Sequence, residues 1–86
     1  MDNTPATKTT AAVIGKRVED RREAIGKSRR AFALIVRIPL TNYRDREMGR
    51  RDFDIPQLER ISAALDVDLE HWFRDLPSPL VKTLVA

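Results

Sequence analysis

Pro39 constrains this 86-residue chain more than any other residue. It falls in a stretch whose apolar residues otherwise recur at helical spacing. A proline in a helix interior removes a backbone donor and clashes with the preceding turn. It also drives Ile38 toward an extended conformation. The sequence therefore predicts a turn near Arg37–Ile38 with a short helix on either side. Ser28 is a good N-cap for the first, which runs from about Arg29 to Val36 and buries Phe32, Ala33, Ile35 and Val36. Pro39 suits the first position of the second. That helix runs from about Pro39 to Met48, with Leu40, Tyr43 and Met48 as its apolar groups, and Gly49 ends it.

The flanking segments are helical too. Residues 1–10 are Thr-rich, contain Pro5 and show no apolar period, which reads as a flexible arm. From Ala11 to Ile25, Ile14, Val18 and Ile25 recur among charged residues, the pattern of an amphipathic helix, and Gly26 supplies a left-handed stop. Asp54 with Gln57 three residues on forms a capping box, and Phe53 with Leu58 a hydrophobic staple. Leu58, Ile61 and Leu65 continue that fourth helix. Asp68 is expected to cap a short fifth helix ending at Phe73, with Val67 and Trp72 as its staple. No segment alternates with a period of two, so the expected fold is all-α, one five-helix domain over residues 11–75. Residues 76–86 form an apolar tail in which Leu80, Val81, Leu84 and Val85 follow Pro77 and Pro79.

Charge is unevenly distributed. Lys16 to Arg51 holds twelve basic residues against five acidic ones, a net +7, whereas Asp52 to Ala86 holds three against seven, a net −4. A chain basic at one end and acidic at the other suits a polyanion bound through one face. Most of the cations are Arg, which forks onto phosphate oxygens and guanine edges. The chain has no Cys and one His, which excludes a disulfide framework, a Cys-based metal site and a thiol nucleophile. No nucleophile–base pair and no Gly-rich phosphate loop is present, so no enzymatic activity, cofactor, metal or small-molecule substrate is expected. His71 reads as incidental, and Asp66 and Asp68 as a helix stop and a cap. Nothing approaches the roughly 20 apolar residues of a membrane span, and a cytoplasmic protein is expected.

The helix pair around Pro39 carries the functional signal. Two helices joined by a tight turn cross steeply, and their close approach needs a small residue, which Ala33 supplies. Leu40, Thr41, Arg44 and Asp45 would then project from the leading half of the second helix, the geometry of a helix entering a DNA major groove. Around this unit lie Ile14-Gly15-Lys16-Arg17-Val18, Ile25-Gly26-Lys27-Ser28, Phe32-Ala33, Ile38, Tyr43 and Glu47-Met48-Gly49-Arg50-Arg51. Leu58, Ile61, Ala64-Leu65, Val67-Asp68-Leu69 and Trp72-Phe73 follow. In that order and spacing the chain resembles the phage-repressor/Cro-type (lambda-repressor-like) helix-turn-helix DNA-binding domains, over about Ile14 to Phe73.

The resemblance implies five helices, with the second and third reading DNA. It implies a structural ion pair between Arg22 and Glu47. Leu40, Thr41 and Asp45 would read bases, with Asn42 and Arg44 beside them. Ser28 and Arg29 would hold one phosphate stretch, and Arg50 and Arg51 a second. Four positions depart from the family pattern: Arg37 replaces the turn glycine, Arg29 a glutamine, Arg46 an apolar residue, and Leu40 a polar reader. A left-handed Arg37 would cost roughly 1–2 kcal/mol.

The expectation is a sequence-specific double-stranded DNA-binding regulator, a phage or mobile-element repressor or Cro-like protein on an inverted-repeat operator. Trp72, Phe73, Leu76, Leu80 and Leu84 would form the dimer contact of a homodimer. The alternative is a protein-interaction module, either an antitoxin or a phage protein that binds a host factor.

Overall fold

The computed structural model describes residues 9–77. Four α-helices and one short 3-10 helix follow one another: α1 Thr10–Ala24, α2 Arg29–Val36, α3 Leu40–Glu47, α4 Ile55–Leu65, then the 3-10 helix Leu69–Phe73. The described residues are all helical or loop. The expected fifth α-helix is thus a 3-10 segment. Only five residues separate Asp68 from Arg74, whose extended backbone ends the segment, and the Asp68 side chain makes no capping hydrogen bond. The first helix starts at Thr10, inside the stretch read as an arm, because Thr9 accepts a hydrogen bond from the Ala12 N–H at 3.0 Å.

Local chemistry sets most other boundaries. The Ser28 hydroxyl accepts from the Ala31 N–H at 3.1 Å and starts α2. Arg37 ends it in the left-handed conformation, φ 60°, and accepts the strain that a glycine would avoid. Pro39 is the N-cap of α3 rather than its first helical residue. Its fixed φ still sets the entry angle. The Asp54–Gln57 capping box is reciprocal, at 2.8 and 2.9 Å. Asp66 ends α4 at φ 56°.

The core gathers Ile14 and Val18 from α1, Phe32, Ala33 and Val36 from α2, Ile38 from the turn and Tyr43 from α3. Phe53, Leu58, Ile61, Leu65 and Trp72 complete it. Tyr43 lies between Phe32 and Phe53, each ring centroid 5.9 Å away. Three residues assigned to the apolar side lie outside this core: Ile25, Ile35 and Met48 are all exposed. Ile25 and Met48 occupy helix ends, where the chain turns away from the core. Ile35 follows Leu34 on the outer side of α2, and Phe32, Ala33 and Val36 already fill the inner side.

Close backbone approach fixes how α1 meets α3. A Cβ on Gly15 would collide with the backbone carbonyl of Glu47 and stand 2.8 Å from that of Arg46. Gly49, at φ 82°, lies so near α1 that a Cβ would stand 2.7 Å from the Ala12 Cα. Two glycines therefore let α1 lie directly on the end of α3.

Candidate nucleic-acid interface

One carboxylate anchors the helix that carries the candidate readers. Glu47, at the end of α3, is buried. Arg22 of α1 grips it with one edge of its guanidinium, Nε to Oε2 at 2.9 Å and Nη2 to Oε1 at 3.1 Å. Arg29, the first residue of α2, adds Nε to Oε1 at 2.7 Å. The Tyr43 hydroxyl donates to Oε2 from one turn earlier in α3. Three helices thus meet on one side chain. Burial pushes the Glu47 carboxyl up, but the hydrogen bonds from Arg22, Tyr43 and Arg29 outweigh it and hold it below the usual carboxylate range. Burial, and then the Glu47 carboxylate, push the Tyr43 hydroxyl well above its ordinary value. Arg22 is raised, first by its hydrogen bond to Glu47.

The opposite side of α3 faces outward. Thr41, Asn42 and Arg44 are exposed, and Asp45 is half-buried. Leu40 is half-buried as well and packs against the core edge, which leaves less of it for a partner than Thr41, Asn42 and Arg44. Arg50 approaches Asp45, Nη1 to Oδ1 at 3.3 Å, and offsets its negative charge. Arg51 is exposed. Arg46 lies along the molecule's edge, donating to the carbonyls of Asp52 and Asn42 at 3.0 and 3.3 Å.

A shallow cleft of about 540 Å³ opens between the start of α2 and α3, lined by Ser28, Arg29, Arg30, Leu40 and Arg44 with Glu19, Arg22 and Glu23. Arg29 is tied within it. Besides Glu47, it reaches Glu19 at 3.4 Å. Arg30 is exposed and makes no ion pair among the described residues. From sequence alone Arg30 has no assigned role, since adjacency to Arg29 does not say which side of α2 it takes.

A sequence profile of the helix-turn-helix family matches residues 18–72. The chain belongs to the lambda-repressor/Cro-like helix-turn-helix family. In helix-turn-helix terms, α2 and α3 are the paired helices, and membership supports a DNA-binding transcriptional regulator. The fold is similar to that of the restriction-modification controller protein C.AhdI from Aeromonas hydrophila, with a TM-score of 0.68 and 22% identity, over 73% of this chain and 96% of that one. No curated protein sequence matches the chain.

The residues assigned to dimer contact divide. Trp72 is fully buried, and its indole Nε1 donates to the Ser62 hydroxyl at 2.7 Å. It is a core residue and has no surface to offer a partner, because the 3-10 helix turns it under α4. Phe73 keeps 38% of its surface exposed, and Leu76 is half-buried against the core. Leu80 and Leu84 lie outside the described residues, as does most of the arm over residues 1–10. Among the described residues no cluster of His, Cys, Asp and Glu suits a metal ion, and no helix is long and apolar enough to cross a membrane.

Proposed function

We propose that this chain is a sequence-specific double-stranded DNA-binding regulator of the phage or mobile-element repressor/Cro type, acting as a homodimer on an inverted-repeat operator. The supporting observation is the division of α3. Tyr43 and Glu47 lock one side to α1 and α2, and Thr41, Asn42 and Arg44 stand free on the other. A helix held rigidly from behind and polar in front is suited to reading base edges in the major groove.

Thr41, Asn42, Arg44 and Asp45 take the reading positions, and Leu40 contributes a methyl contact at the edge. Ser28, Arg50 and Arg51 take phosphates, joined by Arg30. Arg29 acts chiefly through Glu47, holding the start of α2 against α3. Phe73, with Leu76, Leu80 and Leu84 beyond it, forms the contact between copies, which would set two α3 helices about 34 Å apart. Occupying such an operator excludes polymerase from an overlapping promoter.

Selection from random duplex DNA should yield an inverted repeat. Log affinity should fall with log salt, and Arg30→Ala should reduce that slope by about one, whereas Arg29→Ala should leave the slope near the wild-type value. Thr41→Ala and Arg44→Ala should change which sequences are preferred. A flat salt response, or equal loss on every sequence for both reader variants, removes the reading.

One observation favours a protein-interaction module. Leu34 is 76% exposed beside the half-exposed Ile35 on the outer side of α2, an apolar pair that DNA reading leaves unused. An antitoxin or a phage protein that binds a host factor would use it. Failure to bind any duplex at low salt, with tight capture of a protein partner, would select that version.

A further inference from the structure

Three arginines converge on a cleft away from α3. The cleft, about 410 Å³, lies between α1 and the 3-10 helix and is lined by Arg17, Asp20, Arg21, His71 and Arg74. It is partly preorganised. Arg17 donates Nη1 to the Trp72 carbonyl at 3.2 Å, and the His71 ring stands edge-on to Trp72 with centroids 4.8 Å apart. Since Trp72 is fully buried, both groups are referenced to the core.

Asp20 is the one carboxylate among the residues lining the cleft, against three arginines. Asp20 is also drawn to Lys16, one turn earlier on the same face of α1, at 3.1 Å. Glu70 reaches Arg74 loosely, at 3.6 Å, with both side chains mostly exposed. Asp66 and Asp68 line an adjoining groove with Arg21, His71 and Arg74. Arg17 and Arg21 make no ion pair among the described residues. Burial first, then Arg21, Arg74 and Arg17, hold the His71 imidazole below the ordinary value.

The geometry points to a phosphate-binding site in this cleft, with Arg17, Arg21 and Arg74 as donors and His71 closing it. A phosphate group suits the arrangement better than a lone carboxylate. It carries up to two charges, and its oxygens point in several directions, which matches guanidinium forks arriving from two elements. The same chemistry is offered by free phosphate or a small phosphate ester and by a nucleic-acid backbone.

His71 is the sole histidine, so its imidazole signals in a heteronuclear NMR titration report the cleft without assignment ambiguity. The full chain is titrated with pH in three arms: saturating inorganic phosphate, sodium chloride at matched ionic strength, and a short duplex DNA without terminal phosphates. Bound phosphate should raise the His71 midpoint by about one pH unit, and matched chloride should not. The Arg21→Ala, Arg74→Ala double variant should lose most of that rise. Both side chains are exposed, so the fold should survive, and circular dichroism checks it. If the double variant loses helicity, Arg74→Gln alone replaces it. A rise with inorganic phosphate assigns the site to a small phosphate ligand. A rise with duplex only assigns it to a DNA backbone. No rise in either arm, an equal rise in chloride, or a rise untouched by the variants overturns the proposal.

Discussion

The two sides of α3 are built from the same eight residues and obey different physics. On the inner side, Glu47 accepts four hydrogen bonds, one of them from Tyr43, and α1 lies so close that Gly15 has no room for a Cβ. On the outer side, Thr41, Asn42 and Arg44 reach solvent. Orientation is fixed on one side of a short helix, which leaves the other side open to the reading role proposed for it. The pair also separates two kinds of arginine. Arg22 and Arg29 are structural cations whose partner is Glu47, whereas Arg30 and Arg44 are exposed cations without a protein carboxylate among the described residues.

The most damaging way to break the contrast is to remove the anchor. Glu47→Ala leaves Arg22 buried without its carboxylate and should destabilise the fold by about 3–5 kcal/mol in chemical denaturation. Acid should produce a milder version. Because folding lowers the Glu47 carboxyl below its ordinary value, its contribution is full above the ordinary glutamate range and disappears as pH falls through the lowered folded value. Stability measured across that window should fall with pH, and the slope should flatten in Glu47→Gln. Next in size, Gly15→Ala forces a methyl against the Glu47 and Arg46 carbonyls and should cost about 1–3 kcal/mol through displaced backbone. A wild-type melting curve for that variant would mean that α1 does not lie on α3 as described. Smallest of all, Thr41→Ala and Arg44→Ala should change stability by no more than about 0.5 kcal/mol. A loss as large as that of Gly15→Ala would show that the outer side also holds the fold together.

Much of the fold around the candidate site was legible because local rules govern it. Ser28 and Asp54 begin helices through hydrogen bonds within three residues, and Pro39 cuts the chain through its own ring. The Arg22–Glu47 contact spans 25 residues, and the family resemblance suggested it where spacing alone placed Arg22 only on an inner side. What stayed hidden involved competition for the same partner. Nothing in the local pattern around Arg29 says that Glu47 will take its guanidinium, or that Trp72 will turn inward to meet Ser62 rather than outward to a second copy.

The sequence by itself determined the bounds of the four α-helices to within about a residue, that the turn after α2 must be tight, and that positive charge gathers between Lys16 and Arg51. Those features depend on backbone chemistry and composition within a few residues. Tertiary structure alone decided which cations remain free, how closely α1 lies on α3, and which large apolar side chains reach solvent. A buried carboxylate satisfies whichever donors the packing brings to it, and that choice is made across the whole core at once.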